Sequence, residues 1–158
     1  YSTLDYEIGN CRIYWGNSEG TFDFKNNFSD LPNTSIKDIS VPNVVLGFSF
    51  LDFDKDGDYD VLTTVTPDYG GFYIQLYENL GDGKFKDVTE SKITGFSHIH
   101  PRNNIQPGDF PEFYNVRLYD KDDDGDYDIV PDVNDPPIYI VPNMYWENIG
   151  WSFIRRNY

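Results

Sequence analysis

The sequence predicts an all-β fold built from repeated units of about four short antiparallel strands, and three observations lead there. The first is a long repeat: Phe50-Leu51-Asp52-Phe53-Asp54-Lys55-Asp56-Gly57-Asp58-Tyr59-Asp60-Val61 returns 68 residues later as Leu118-Tyr119-Asp120-Lys121-Asp122-Asp123-Asp124-Gly125-Asp126-Tyr127-Asp128-Ile129. Second, a shorter motif occurs three times, as Ile13-Tyr14-Trp15-Gly16-Asn17, Leu76-Tyr77-Glu78-Asn79-Leu80-Gly81 and Tyr145-Trp146-Glu147-Asn148-Ile149-Gly150. Third, apolar residues nowhere keep helical spacing for three turns, and ten Pro and thirteen Gly interrupt the chain too often for long helices.

In chain order, the spacing divides the sequence into residues 1–40, the C-terminal part of one unit with a connector; residues 41–113, a whole unit with a long connector; and residues 114–158, a second unit. In the first part, Tyr14-Trp15 and the segment around Phe22 read as a strand pair. In the second, Val44 to Leu51 and Tyr59 to Thr66 read as strands flanking an acidic loop, because β-branched and aromatic residues dominate them. Phe72 to Glu78 and Lys84 to Val88 follow as a hairpin around Gly81-Asp82-Gly83. Four strands in a repeat of this length suit a propeller blade. Two and a half such units fall short of a ring, so a partial propeller is expected, its open faces covered by further blades or by a neighbouring chain. Thr89 to Phe113, with Pro101, Pro107, Gly108 and Pro111, reads as a long surface connector, and two histidines alone, His98 and His100, make a poor metal site there.

Composition narrows the function. Among 158 residues, 27 acidic against 12 basic side chains give a net charge of −15, which repels phosphate backbones and anionic lipid, so nucleic acid is excluded as an expected partner. No stretch approaches the roughly 20 apolar residues of a membrane helix, so direct membrane insertion is not expected. Aromatic residues make up 18% of the chain and are expected to fill much of the core. Cys11 is the only cysteine, which rules out an internal disulfide and leaves a small buried side chain as the expected role. The chain begins at Tyr1 rather than Met and reads as a processed or partial product. Asn27-Phe28-Ser29 and Asn33-Thr34-Ser35 fit the N-glycosylation pattern, making Asn27 and Asn33 candidate acceptors.

The charge is concentrated. Asp52 to Asp60 carries five Asp and one Lys for −4, and Asp120 to Asp128 carries six Asp and one Lys for −5. A calcium ion wants six to eight oxygens from a loop that aims alternate side chains inward. Positions 1, 3 and 5 are Asp52, Asp54 and Asp56 in the first loop and Asp120, Asp122 and Asp124 in the second, each followed by a Gly at position 6, Gly57 or Gly125, that lets the backbone turn. Asp58 and Asp126 at position 7 would offer backbone carbonyls, and Asp60 and Asp128 at position 9 would close each site. An EF-hand closes with Glu at position 12 between helices, whereas Thr63 and Pro131 stand there, on strand-like flanks. Solvated acidic turns are the plain alternative, and two matching loops speak against them. Two calcium ions are therefore expected, with Lys55, Lys121 and Asp123 pointing away to solvent. Magnesium, which demands a tighter octahedron, suits these loops less well.

The Asp-rich loop between strands, followed by Leu76-Tyr77-Glu78-Asn79-Leu80-Gly81-Asp82-Gly83-Lys84-Phe85, resembles the FG-GAP/VCBS repeat of integrin α-subunit propellers and many secreted bacterial proteins. That resemblance covers residues 11–24, 44–88 and 114–155, and it implies calcium-stabilised blades, an extracellular or cell-surface location, and a role in adhesion or in binding a protein or glycan ligand. Tyr114, Tyr119, Trp146 and Trp151 are candidate contacts, with sugar stacking placed on Trp151. No Ser-His-Asp, Cys-His or phosphate-loop arrangement can be assembled, so catalysis by this chain is not expected. Two alternatives remain open: non-catalytic accessory blades of a secreted polysaccharide-degrading enzyme, and a structural unit of a surface assembly.

Overall fold

A computed structural model describes residues 11–32, 43–67, 73–94, 116–132 and 144–157. Among these residues the fold is all-β apart from one helical turn. The first unit is a two-stranded antiparallel sheet of β1 (Arg12–Tyr14) and β2 (Phe28–Asp30). The second is a four-stranded antiparallel meander of β3 (Asn43–Leu51), β4 (Asp60–Pro67), β5 (Tyr73–Asn79) and β6 (Phe85–Asp87). Its ranges follow those read from β-branched and aromatic runs, and β3 carries a bulge between Val45 and Gly47.

Beyond β6 the chain departs from expectation. Asp87 Oδ1 accepts a hydrogen bond from the Thr89 amide and the Thr89 hydroxyl accepts one from the Leu76 amide, which starts a single helical turn, α1 (Thr89–Lys92). A short strand, β7 (Ile93–Thr94), comes next. The start of the presumed connector is thus ordered structure, while residues 95–115, including His98, His100 and Tyr114, lie outside the described residues.

The second repeat forms β8 (Val116–Tyr119), β9 (Asp128–Pro131), β10 (Met144–Asn148) and β11 (Phe153–Asn157), in the same meander order as the first. β7 joins this sheet parallel to β11, with Phe153 opposite Ile93, so one unit donates a strand to the next.

Burial shows how the sheets stack. Leu51, Leu62, Ile74 and Leu76 of the four-stranded sheet share a core with Val116, Ile129, Trp146 and Phe153 of the five-stranded sheet. Val61, Tyr77 and Phe85, from the other face of the four-stranded sheet, pack with Leu31 and the partly buried Cys11, Ile13 and Trp15 of the first unit. The four-stranded sheet is therefore the middle of three layers. Four consecutive residues of β4, Val61 to Thr64, and four of β5, Ile74 to Tyr77, are buried, as strands covered on both faces require. Gly83 brings the layers close: at φ +71, a Cβ there would lie 2.7 Å from Ser29 Oγ.

Two expectations about strands and aromatics fail. Phe22 makes only an isolated bridge to Gly16, and the partner of β1 is Phe28–Asp30. Side-chain turns absorb the intervening residues: Asn17 Oδ1 accepts from the amides of Glu19 and Thr21, and Asp23 Oδ1 from those of Lys25 and Asn26. Trp146, expected as a ligand contact, is fully buried, because β10 is an inner strand and Trp146 faces the core between layers. No closed ring of sheets is present among the described residues.

Candidate metal centres in the two Asp loops

Each loop joins the first two strands of a meander, β3 to β4 and β8 to β9. The two are backbone copies. Gly57 and Gly125 have φ of 97° and 94°, and Lys55 and Asp123, at position 4, have φ of 60° and 62°. The position 1 carboxylate takes the position 6 amide in both: Asp52 Oδ2 accepts from Gly57 at 3.2 Å and Asp120 Oδ2 from Gly125 at 3.0 Å. Position 5 takes the position 7 amide, Asp56 from Asp58 at 3.0 Å and Asp124 from Asp126 at 2.9 Å.

Position 9 does the long-range work. Asp60 Oδ2 accepts from the Phe53 amide at 3.1 Å and its Oδ1 from the Asn79 amide at 2.8 Å. Asp128 repeats this with Lys121 at 3.0 Å and Asn148 at 2.8 Å. Each closing carboxylate thereby ties its loop to the third strand of its sheet. The reading of the sequence missed Asn79 and Asn148. Their signal was there: in all three copies of the shorter motif Asn stands two residues after an aromatic side chain, Trp15, Tyr77 or Trp146, and Asn17 in the first copy serves its own turn.

The carboxylates gather as the loop positions require. Oxygens of Asp52, Asp54 and Asp60 lie within 4.8 Å of one another, as do those of Asp120, Asp122 and Asp124. Together the two loops use positions 1, 3, 5 and 9, while Asp58 and Asp126 stay outside both clusters. Two unit charges at 4.8 Å repel by roughly 1 kcal/mol in water and roughly 3 kcal/mol at the lower effective dielectric of a protein surface.

Titration reflects burial first and that repulsion second. Burial pushes Asp60 up to about 6 despite its two amide hydrogen bonds. Burial, then the neighbouring Asp56, raises Asp54 and also Asp58. Burial, then Asp124, raises Asp122. Asp52 Oδ1, at position 1, is enclosed without a hydrogen-bond partner. Enclosed oxygens of this kind are costly unless something positive meets them, so this donor set fits a hard, oxygen-seeking cation.

Residues at even positions divide. Asp123 is exposed as expected. Lys121 is half-buried, its ammonium 4.8 Å over the Tyr145 ring, because a cation beside an aromatic face is favoured over full exposure. Lys55 is exposed but reaches the other loop, with Nζ 2.6 Å from Asp126 Oδ1.

Of the remaining candidates, Tyr119 and Trp151 are exposed. Trp151 sits with Gly150 at the β10–β11 hairpin tip, both at positive φ, closed by the Ile149 amide donating to Ser152 O at 2.7 Å. Asn27 is half-buried and its side-chain nitrogen donates to Trp15 O at 2.9 Å, so a glycan attached to that nitrogen would break the bond. Asn33 lies outside the described residues. Cys11 is half-buried, and burial pushes its thiol up. No family model matches the chain, and neither does any curated protein or solved structure.

Proposed function

We propose that the chain is a calcium-binding β-propeller module of a secreted or cell-surface protein, which presents rigid loops and exposed aromatics to a protein or glycan ligand. The observation that carries this is the duplicated loop: two segments 68 residues apart adopt the same backbone, the same internal carboxylate bonds and the same tie to a third-strand Asn. Acidic turns that were only solvated would have no reason to repeat a closing carboxylate that reaches across the sheet.

In the first loop Asp52, Asp54, Asp56 and Asp60 with the carbonyl of Asp58 would hold the ion; in the second, Asp120, Asp122, Asp124 and Asp128 with the carbonyl of Asp126. Bound calcium would supply the positive charge that gathered carboxylates need. The chain's own part is orientation. Asp60 and Asp128 hold the Asn79 and Asn148 amides, so fixing each loop also fixes the start of the hairpin beyond it.

Blade-like stacking of the three layers, with one unit donating β7 to the next, supports the propeller reading. Phe48 and Phe50 on edge strand β3 and Tyr119 on edge strand β8 are exposed, as expected of surfaces that meet further blades or a neighbouring chain. Trp151, an exposed aromatic at a hairpin tip, is the ligand contact this reading favours. Calorimetric titration with calcium should give two ions per chain, and a glycan and protein-ligand screen should give hits that depend on calcium. A chain that takes up no calcium would refute the reading.

A further inference from the structure

A cleft of about 450 Å³ lies between the first unit and the turn after β5, with Trp15, Asn27 and Phe28 on one side and Asp58, Asn79 and Asp82 on the other. No Lys or Arg lines it. Most of its polar groups are satisfied: Trp15 Nε1 donates to Ser29 Oγ at 2.7 Å, and the Asn27 side-chain nitrogen is held by Trp15 O. The group left unbalanced is Asp58, whose Oδ1 is enclosed with no partner, and Asp82 adds a second carboxylate.

The molecule holds a filled counterpart of this site. Asp126 occupies the same loop position, with the same backbone and the same bond from its amide to the position 5 carboxylate, and its Oδ1 accepts from Lys55 Nζ at 2.6 Å. Where one position 7 carboxylate meets an ammonium group delivered by an adjacent loop, the other belongs to the wall of the cleft with its Oδ1 enclosed and unmet. We propose that this cleft binds a primary ammonium group, presented as a lysine side chain by a partner polypeptide.

The chemistry agrees. An ammonium is a compact charge with three donors, suited to a single carboxylate approached end-on, and its alkyl stem can lie along the Trp15 indole, while the Phe28 ring already carries the Arg12 guanidinium 3.8 Å from its centroid. The charge also remains favourable with calcium present, since the −4 of Asp52 to Asp60 plus +2 leaves −2. The inference rests on the calcium reading in one respect: position 7 contributes its carbonyl to the ion and leaves its side chain free.

The test titrates the calcium-loaded, isotope-labelled chain with an end-blocked Gly-Lys-Gly peptide and with its Nε-acetylated form, following the Trp15 indole N–H and the Gly83 amide by NMR. The lysine peptide should shift both signals, the acetylated one neither. Asp58→Asn, which keeps the backbone carbonyl, should weaken the lysine peptide about tenfold while calorimetry still counts two calcium ions. Equal shifts with both peptides, or none at Trp15, would overturn the proposal and leave the calcium reading untouched. A calcium count that falls in Asp58→Asn would place that carboxylate on the ion, which overturns the ammonium site alone. A wild-type chain without calcium would strike the calcium reading, and the comparison of the two peptides would still decide this one.

Discussion

The two Asp loops share a backbone and differ in their surroundings. At the Asp positions they share, their burial matches except at the third, where Asp54 of the first is half-buried and Asp122 of the second is exposed. The first loop belongs to the middle layer, covered on both faces, while its counterpart lies in the outer five-stranded sheet and borrows Lys55 to meet Asp126. A motif of nine residues thus sets the geometry, and the layer it sits in sets how costly its charges are. That contrast predicts that calcium matters more to the first loop than to the second.

The largest expected effect comes from removing both ions. A site held at about a hundred times its dissociation constant adds roughly 2.7 kcal/mol, so two sites add roughly 5 kcal/mol, or about 10–20 °C in melting temperature for a chain of this size. Thermal unfolding with and without chelator checks this, and coincident curves would remove the basis of the comparison.

Single loops come next. Asp54→Ala and Asp122→Ala should each abolish one of two sites in calorimetry and cost roughly 2–3 kcal/mol in calcium. In calcium-free buffer the two should part: Asp54→Ala relieves crowding among half-buried carboxylates and should stabilise, while Asp122→Ala, in exposed surroundings, should change little. Asp123→Ala should leave both sites intact, since this exposed residue belongs to neither cluster. Equal losses from Asp122→Ala and Asp123→Ala would mean that general charge, not coordination, explains the acidity.

The strands, turn residues and loop positions were readable in the sequence because each depends on neighbours along the chain. Val44 to Leu51 is rich in β-branched and aromatic residues and ends at an Asp-Gly loop, and Gly81-Asp82-Gly83 supplies the positive φ values that the hairpin turn needs. What could not be read depends on distant partners. Trp146 has the local look of an exposed motif aromatic, yet β9 and β11 flank its strand and the middle layer covers it. Nothing near Ile93-Thr94 announces a strand, because its partner, β11, is about 60 residues away. The bond from Asn79 to Asp60 is of the same kind, visible only once the third strand lies beside the second.

A smaller effect is expected from pH, and its sign separates the calcium-free from the loaded chain. Asp60 has a folded pKa of about 6, above the ordinary value of about 3.9. The folded chain therefore holds a proton that the unfolded chain releases. Without calcium, the stability from this group is present below about pH 4 and is lost as pH rises through about 6. With calcium the trend reverses, since binding needs the ionised carboxylate and weakens as pH falls below about 6. Asp60→Asn should flatten the difference between pH 5 and pH 7 in the calcium-free chain. If wild type and variant keep parallel profiles, Asp60 is not the buried group that sets the contrast between loops.

The smallest effect compares the hairpins that follow the two loops. The first turn places Gly81, Asp82 and Gly83 at positive φ; the second places Gly150 and Trp151 there, with Trp151 at φ +70. Asp tolerates the left-handed region and Gly adopts it freely, whereas a bulky side chain pays a steric penalty of about 1–2 kcal/mol. Trp151 is 49% exposed, so only part of its surface is buried to offset that strain. Trp151→Gly should accordingly raise the melting temperature by about 2–4 °C, close to 1 kcal/mol, with the calcium count unchanged. The same substitution should reduce binding of any ligand that uses this tip. A loss of stability instead would show that Trp151 packs against the molecule, and the strained aromatic would then belong to the fold rather than to recognition.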